Sequence, residues 1–104
     1  MKFEKGVTVR GFDICYFKDD YSALCSLQQS SLVEPHIWLG IDNPEPRIMC
    51  QDAIKLGIPA QGTTGWQDYK IPKEVSITTR MHLTKKQARK LARKLLKFGL
   101  FGKI

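Results

Sequence analysis

The chain lacks the sequence features that mark secreted, membrane-spanning and metal-binding proteins. Its three cysteines, Cys15, Cys25 and Cys50, are odd in number and form no CxxC pair, and together with the two histidines they lack the spacing of zinc ligands. Residues 1–5 lack the apolar stretch of a signal peptide, and no apolar run is long enough to span a bilayer. We therefore expect an intracellular, reduced protein without a metal or a cofactor.

Motifs that identify common enzymes are also missing. There is no GxSxG nucleophile elbow and no GxxxxGK[ST] phosphate loop. A small hydrolase could still be assembled from His82 with Ser30, Ser31 or Asp13, if these residues met in space. We expect no catalytic residue, and a hydrolase that uses His82 is the third of three functional hypotheses.

The 104 residues are enough for one domain, and their patterning predicts the α+β class. We expect a β-rich body over residues 1–83, a helix over 84–99 and a short tail over 100–104. The body is predicted to form an antiparallel sheet of four or five strands, with the helix packed across one face. The predicted strands are 7–17 with a bulge at Gly11, 21–28, 36–41, 47–50 and 75–83. Residues 52–56 predict one helical turn ended by Gly57, and residues 58–72 a surface loop.

The C-terminal helix has clear local signals at both ends. Thr84 and Gln87 have the spacing of a capping box, and Gly99 is predicted to end the helix. The apolar residues between them follow helical spacing and form one stripe: Ala88, Leu91, Ala92, Leu95 and Leu96. We expect this stripe to cover the sheet, because the body supplies no other long helix. An apolar tail also allows a helix that lies on a membrane surface.

No acidic residue occurs from residue 84 onward, although this segment holds eight of the seventeen basic residues. Residues 1–83 keep nine basic and ten acidic residues, so the positive excess is confined to the C-terminal segment. Seven cations fall within one half of the helical wheel: Lys85, Lys86, Arg89, Lys90, Arg93, Lys94 and Lys97. Such a face is typical of a solvated helix, but interspersed glutamates would serve solubility better. The face therefore also predicts an anionic partner.

A candidate ligand pocket comprises Arg80, His82, Trp38, Ser30 and Ser31. Arg80 and His82 share the outward face of a predicted strand, and a guanidinium suits phosphate or carboxylate. Trp38 could add a stacking surface, so the set would suit a nucleotide. Alternatively, Arg80 pairs with a carboxylate and Trp38 belongs to the core.

Four segments together resemble a known family: 25–32 with its Ser-Ser-Leu, 37–41 with Trp-Leu-Gly, 47–49, and 79–84 with Arg-Met-His-Leu-Thr. This series is similar to that of a family of small hypothetical proteins encoded by bacteriophages and prophages. The resemblance covers most of residues 12–98 and implies a β-rich domain with a C-terminal helix, but no established activity. The helix of this chain is more basic than the family's.

These observations lead to two binding hypotheses ahead of the hydrolase. The first is a non-enzymatic phage-type protein in the bacterial host cytoplasm that inhibits a host defence system. Its target would be anionic: an acidic protein surface, a nuclease complex or a nucleotide signal. The alternative is a nucleic-acid-binding protein that uses the basic helix. The unpaired edges of the predicted sheet also allow a homodimer.

Overall fold

The computed structural model describes all residues, 1–104, and contains seven strands and two helices. In chain order these are β1 Glu4–Val7, β2 Asp13–Lys18, β3 Leu24–Gln29, β4 His36–Ile41, β5 Arg47–Met49, α1 Cys50–Lys55, β6 Trp66–Asp68, β7 Arg80–Thr84 and α2 Lys85–Phe101. They belong to two compact units. The first unit comprises Met1–Asn43 with Thr78–Ile104, and the second comprises Pro44–Ile77.

The first unit is built on a five-stranded sheet in the order β1-β2-β3-β4-β7, in which every neighbouring pair is antiparallel. The predicted α+β class, with an antiparallel sheet and a C-terminal helix, is therefore confirmed. Strand β4 lies between β3 and β7 and has the predicted bounds, although its residues are half-buried, with Ile41 exposed, rather than fully covered. Only Ile14 and Cys25 are buried apolar residues in this unit.

Residues 7–17 form two strands and a turn, so the prediction of a single bulged strand is wrong. The Thr8 hydroxyl accepts a hydrogen bond from the Phe12 N–H at 3.0 Å, and the Thr8 carbonyl accepts one from the Gly11 N–H at 2.9 Å. Gly11 has a φ of 87°, which a glycine adopts readily. The glycine at the break in alternation thus marks a hairpin between β1 and β2.

The β7 strand is shorter than predicted and begins at Arg80 instead of residue 75. Gly40 on β4 allows β7 to approach closely, because a Cβ at this position would lie 2.7 Å from the Arg80 Cα. The Thr79 hydroxyl donates to the Ile41 carbonyl at 2.6 Å, and the Ile41 N–H donates to the Thr79 carbonyl at 3.3 Å. These contacts fix the start of β7 against the end of β4.

Helix α2 has the predicted capping box. The Thr84 hydroxyl accepts from the Gln87 N–H at 3.1 Å, and the Gln87 side-chain carbonyl accepts from the Thr84 N–H at 3.0 Å. The helix does not stop at Gly99 as predicted. It continues to Phe101 and ends at Gly102, which has a left-handed φ of 67°.

The apolar stripe of α2 contacts the sheet only near its start, where Ala88 and Leu91 are half-buried and Ala88 lies beside Ile37 and Leu83. No residue of α2 is buried, and Leu95 and Leu96 are 58% and 63% exposed. Thr84 is both the last residue of β7 and the N-cap of α2, so no loop residue separates the strand from the helix. The helix therefore continues directly from the strand, and its residues 92–101 are exposed.

The second unit is a small hairpin of β5 and β6 with the six-residue helix α1. Cys50 and Ala53 are its buried apolar residues. The predicted helical turn and the short strand near residue 47 are both present, and Gly57 follows the helix with a φ of 73°. The region predicted as a loop contains β6, and the buried Gln67 side chain bonds the backbone of this loop at 2.8 and 2.9 Å.

Candidate functional site

Cross-strand register brings the candidate ligand residues onto one face of the first unit. Strand β4 pairs with β7 so that Trp38 lies opposite His82 and Gly40 lies opposite Arg80. His36 lies opposite Thr84, two residues farther along the same face. Because side chains alternate between the faces of a sheet, the large side chains at these positions share one surface.

These side chains form a stacked column, which we call the aromatic ladder and define as His36, His82, Trp38 and Arg80. The His36 and His82 rings are 4.9 Å apart, and the His82 and Trp38 rings are 4.1 Å apart, with interplanar angles of 20° and 27°. The Arg80 guanidinium carbon lies 5.5 Å from the centre of the Trp38 ring. Stacking and cation–π attraction at these distances stabilise the β4–β7 pair.

Hydrogen bonds connect the ladder to strand β3 and to the loop before β4. Arg80 donates to the Gln28 side-chain carbonyl at 2.8 Å, and the His82 Nε2 lies 2.9 Å from the Ser30 hydroxyl oxygen. His36 donates from Nδ1 to the Glu34 carbonyl at 2.9 Å. Arg80 has no carboxylate partner, contrary to one alternative, so its charge is not neutralised within the chain.

Four of the five residues predicted to share a pocket come together: Arg80, His82, Trp38 and Ser30. Ser31 lies exposed in the loop after β3 and is not part of the ladder. His36 and Gln28 were not predicted from the sequence. Period-two alternation along β3 and β4 could have found both, because Gln28 lies opposite Trp38 and His36 is two residues from it.

Ser30 and His82 have the contact distance of a nucleophile and a general base, but their surroundings differ from those of a hydrolase site. Ser30 is only 6% exposed, and its hydroxyl also accepts from the Leu32 N–H at 3.4 Å. His82 makes no hydrogen bond with a carboxylate that would orient its ring. The contact therefore fixes the His82 ring and does not present the serine hydroxyl to solvent.

The second candidate surface is the cationic face of α2. All seven of its lysines and arginines are exposed. The chain contains one salt bridge, Arg47–Asp68 at 3.9 Å, so none of the helix cations pairs with a carboxylate. The helix thus presents a continuous, unneutralised positive surface to solvent.

Other groups that could carry chemistry are few. No three His, Cys, Asp or Glu residues are grouped so that they could hold a metal ion. Neither helix has the length and hydropathy that crossing a bilayer requires. Burial, reinforced by the carboxylates of Asp19 and Asp42, raises the pKa of the Cys25 thiol, so this thiol stays protonated at neutral pH.

Comparisons with known proteins add no assignment to these two surfaces. No protein-family model, curated protein or solved structure matches the chain.

Proposed function

We propose that this chain is a non-enzymatic, phage-type binding protein that inhibits a host defence system by docking α2 onto an anionic host target. The observation that carries the proposal is the unneutralised cationic face of α2, on which seven exposed lysines and arginines have no carboxylate partner. A surface of one charge sign attracts a partner of the opposite sign and increases the rate of encounter.

The energetics of the helix support a partner. Five pairs of like charges lie four residues apart along α2, and together they cost about 1–2.5 kcal/mol at low salt. Lys85 and Lys86 also occupy the first turn, where the helix dipole disfavours cations. An anionic surface placed against these side chains would offset both the like-charge repulsion and the unfavourable interaction with the helix dipole. A role in solubility alone requires neither of these costs.

The aromatic ladder gives the proposal a second contact. Arg80 is half-buried and hydrogen-bonded to an uncharged amide, so it keeps its positive charge in a fixed position. His82 is exposed beside it. A carboxylate or a phosphate of the target could meet these two groups, while α2 supplies the long-range attraction.

A pull-down from bacterial host lysate tests the proposal. The tagged chain is compared with a variant carrying Arg89→Glu, Lys90→Glu, Arg93→Glu and Lys94→Glu. These changes keep the helix stable, because three of its five i,i+4 pairs become attractive. A control with the same charge change carries Lys2→Glu, Lys18→Glu, Lys70→Glu and Lys73→Glu, all at exposed positions outside α2.

We expect the unchanged chain and the control to retain a host partner that the α2 variant loses. Retention of the same partner by the α2 variant would contradict the proposal. The experiment is run with and without nuclease. Loss of the partner after nuclease treatment would favour the nucleic-acid-binding alternative, in which affinity falls by roughly one power of the salt concentration for each phosphate neutralised.

A further inference from the structure

Beyond its first turns, the apolar side of α2 is exposed; only its start, at Ala88, lies beside Ile37 and Leu83 of the sheet. Ala88 and Leu91, near the start of the helix, are half-buried, but Leu95 farther along is 58% exposed. Phe98, one turn beyond, is also exposed. The cationic half of the helix explains solvent exposure on one side only, so the other side requires a covering surface.

One face of the five-stranded sheet is apolar and open in the same way. Leu27, Leu39 and Met81 lie directly opposite one another on three adjacent strands. Leu27 is 37% exposed and Met81 is 50% exposed. Ile37 and Leu83 form the next row on this face and are half-buried. We call these five residues the apolar sheet face.

The accessible surface of the chain exceeds what its two units would expose as separate compact globules. It measures 8954 Å². Two separate globules with the sizes of the two units, about 70 and about 34 residues, would together expose about 7,100 Å². The excess over that sum is about 1,900 Å² per chain, or about 3,700 Å² for two chains, and obligate homodimers bury areas in this range.

The junction between β7 and α2 leaves most of the helix unpacked against the sheet of its own chain. Thr84 ends the strand and caps the helix, and only the first turns of α2 lie beside the sheet, while residues 92–101 are exposed. A second copy of the chain offers the same open sheet face and the same open helix. The open helix of one protomer can therefore cover the open sheet face of the other.

We propose that the chain forms a homodimer in which the apolar side of α2 of each protomer packs on the apolar sheet face of its partner. This exchange is reciprocal, as a twofold interface requires. It leaves both cationic faces on the outside of the dimer, because they lie opposite the buried side of each helix. Dimerisation therefore does not depend on the anionic target, and the dimer would present two docking helices to that target.

Light scattering coupled to size-exclusion chromatography tests the dimer. We expect a mass of about twice the 11.9 kDa of the chain and a melting temperature that rises with protein concentration. Leu95→Glu should weaken the dimer at least about thirtyfold, since it places a charge in the interface. Val33→Glu is the control, because Val33 is fully exposed in the loop between β3 and β4.

A mixing experiment separates helix-on-sheet exchange from other dimers. Met81→Glu alters the receiving face and should also give a monomer that keeps its sheet signal in circular dichroism. When the Leu95→Glu and Met81→Glu variants are mixed, one of the two reciprocal interfaces contains only unchanged residues. The mixture should therefore dimerise more strongly than either variant alone.

Several results would overturn the proposal. A mass of 11.9 kDa and a melting temperature independent of concentration would show that no second copy binds. Dimerisation that survives Leu95→Glu would place the contact elsewhere, for example at an unpaired sheet edge. If the mixture of the two variants dimerised no more strongly than either variant alone, the helix-on-sheet exchange would be excluded. Binding of a monomeric chain to phosphatidylglycerol vesicles, lost in Leu95→Glu, would identify a membrane as the occupant of the helix.

Discussion

Replacing Lys90 with glutamate should stabilise α2 while weakening its proposed function. Lys90 lies in the middle of the helix and forms like-charge i,i+4 pairs with Lys86 and Lys94. All three side chains are exposed, and none pairs with a carboxylate. The change converts both repulsive pairs into attractive ones, and lysine and glutamate have similar helix propensities. Residues chosen for stability alone would therefore differ from those present.

The size of the effect follows from the two pairs. Each pair changes from a cost of about 0.2–0.5 kcal/mol to a gain of similar size. The two pairs together stabilise the helix by about 0.8–2 kcal/mol at low salt. At a mid-helix position the dipole contributes little, so no further correction is needed.

Amide hydrogen exchange of α2 measures this change directly. The protection of its amides should rise about 4- to 30-fold at low salt. The gain should largely disappear near 1 M salt, where the screening length falls to about 3 Å. Lys2→Glu makes the same change in net charge outside the helix and should leave α2 protection unchanged. An unchanged or lower protection in Lys90→Glu, or a gain that survives high salt, would refute the repulsion on which the functional argument depends.

Three further predictions concern the sheet, the helix cap and the thiols. Gly40→Ala should destabilise the fold by about 1–3 kcal/mol in denaturant unfolding, because its Cβ would clash with the backbone at Arg80. An unchanged midpoint of denaturant unfolding would show that β7 can move away from residue 40 without loss of stability. Thr84→Ala should cost about 0.5–2 kcal/mol and reduce the helical circular dichroism signal. Iodoacetamide should alkylate Cys15 faster than Cys25, whose buried thiol has a raised pKa and so forms thiolate only at higher pH; equal rates by mass spectrometry would contradict this.

Sequence patterns predicted the elements whose signals are local. The capping box of Thr84 and Gln87 and the strand 36–41 depend on residues a few positions apart, and both are present as expected. The segment 7–17 misled the prediction because a hairpin and a bulge share the same marker, a glycine at a break in alternation. The hydrogen bond from the Phe12 N–H to the Thr8 hydroxyl, four residues away, belongs to the turn of a hairpin.

The candidate site depends on contacts that local patterns do not contain. The ladder arises from the register of β4 against β7, and Trp38 and His82 are far apart in sequence. Outward alternation placed Arg80 and His82 on one face of β7, and alternation along β4 places His36 on the face of Trp38. Only the register of β4 against β7 shows that these two pairs share a surface. The helical period likewise identified the apolar side of α2 but carried no information about its partner. The helical stripe also carries no information that β7 and α2 join at Thr84 without a loop.

Lysine footprinting in bacterial host lysate measures directly whether the cationic half of α2 contacts the target. The chain is acetylated briefly in lysate and in buffer, and the modification of each lysine is read by mass spectrometry. We expect Lys86, Lys90 and Lys94 to be modified more slowly in lysate, while the exposed Lys2 and Lys70 serve as internal references and change little. Equal slowing at all five lysines, or none at the helix, would contradict the claim that α2 is the docking surface.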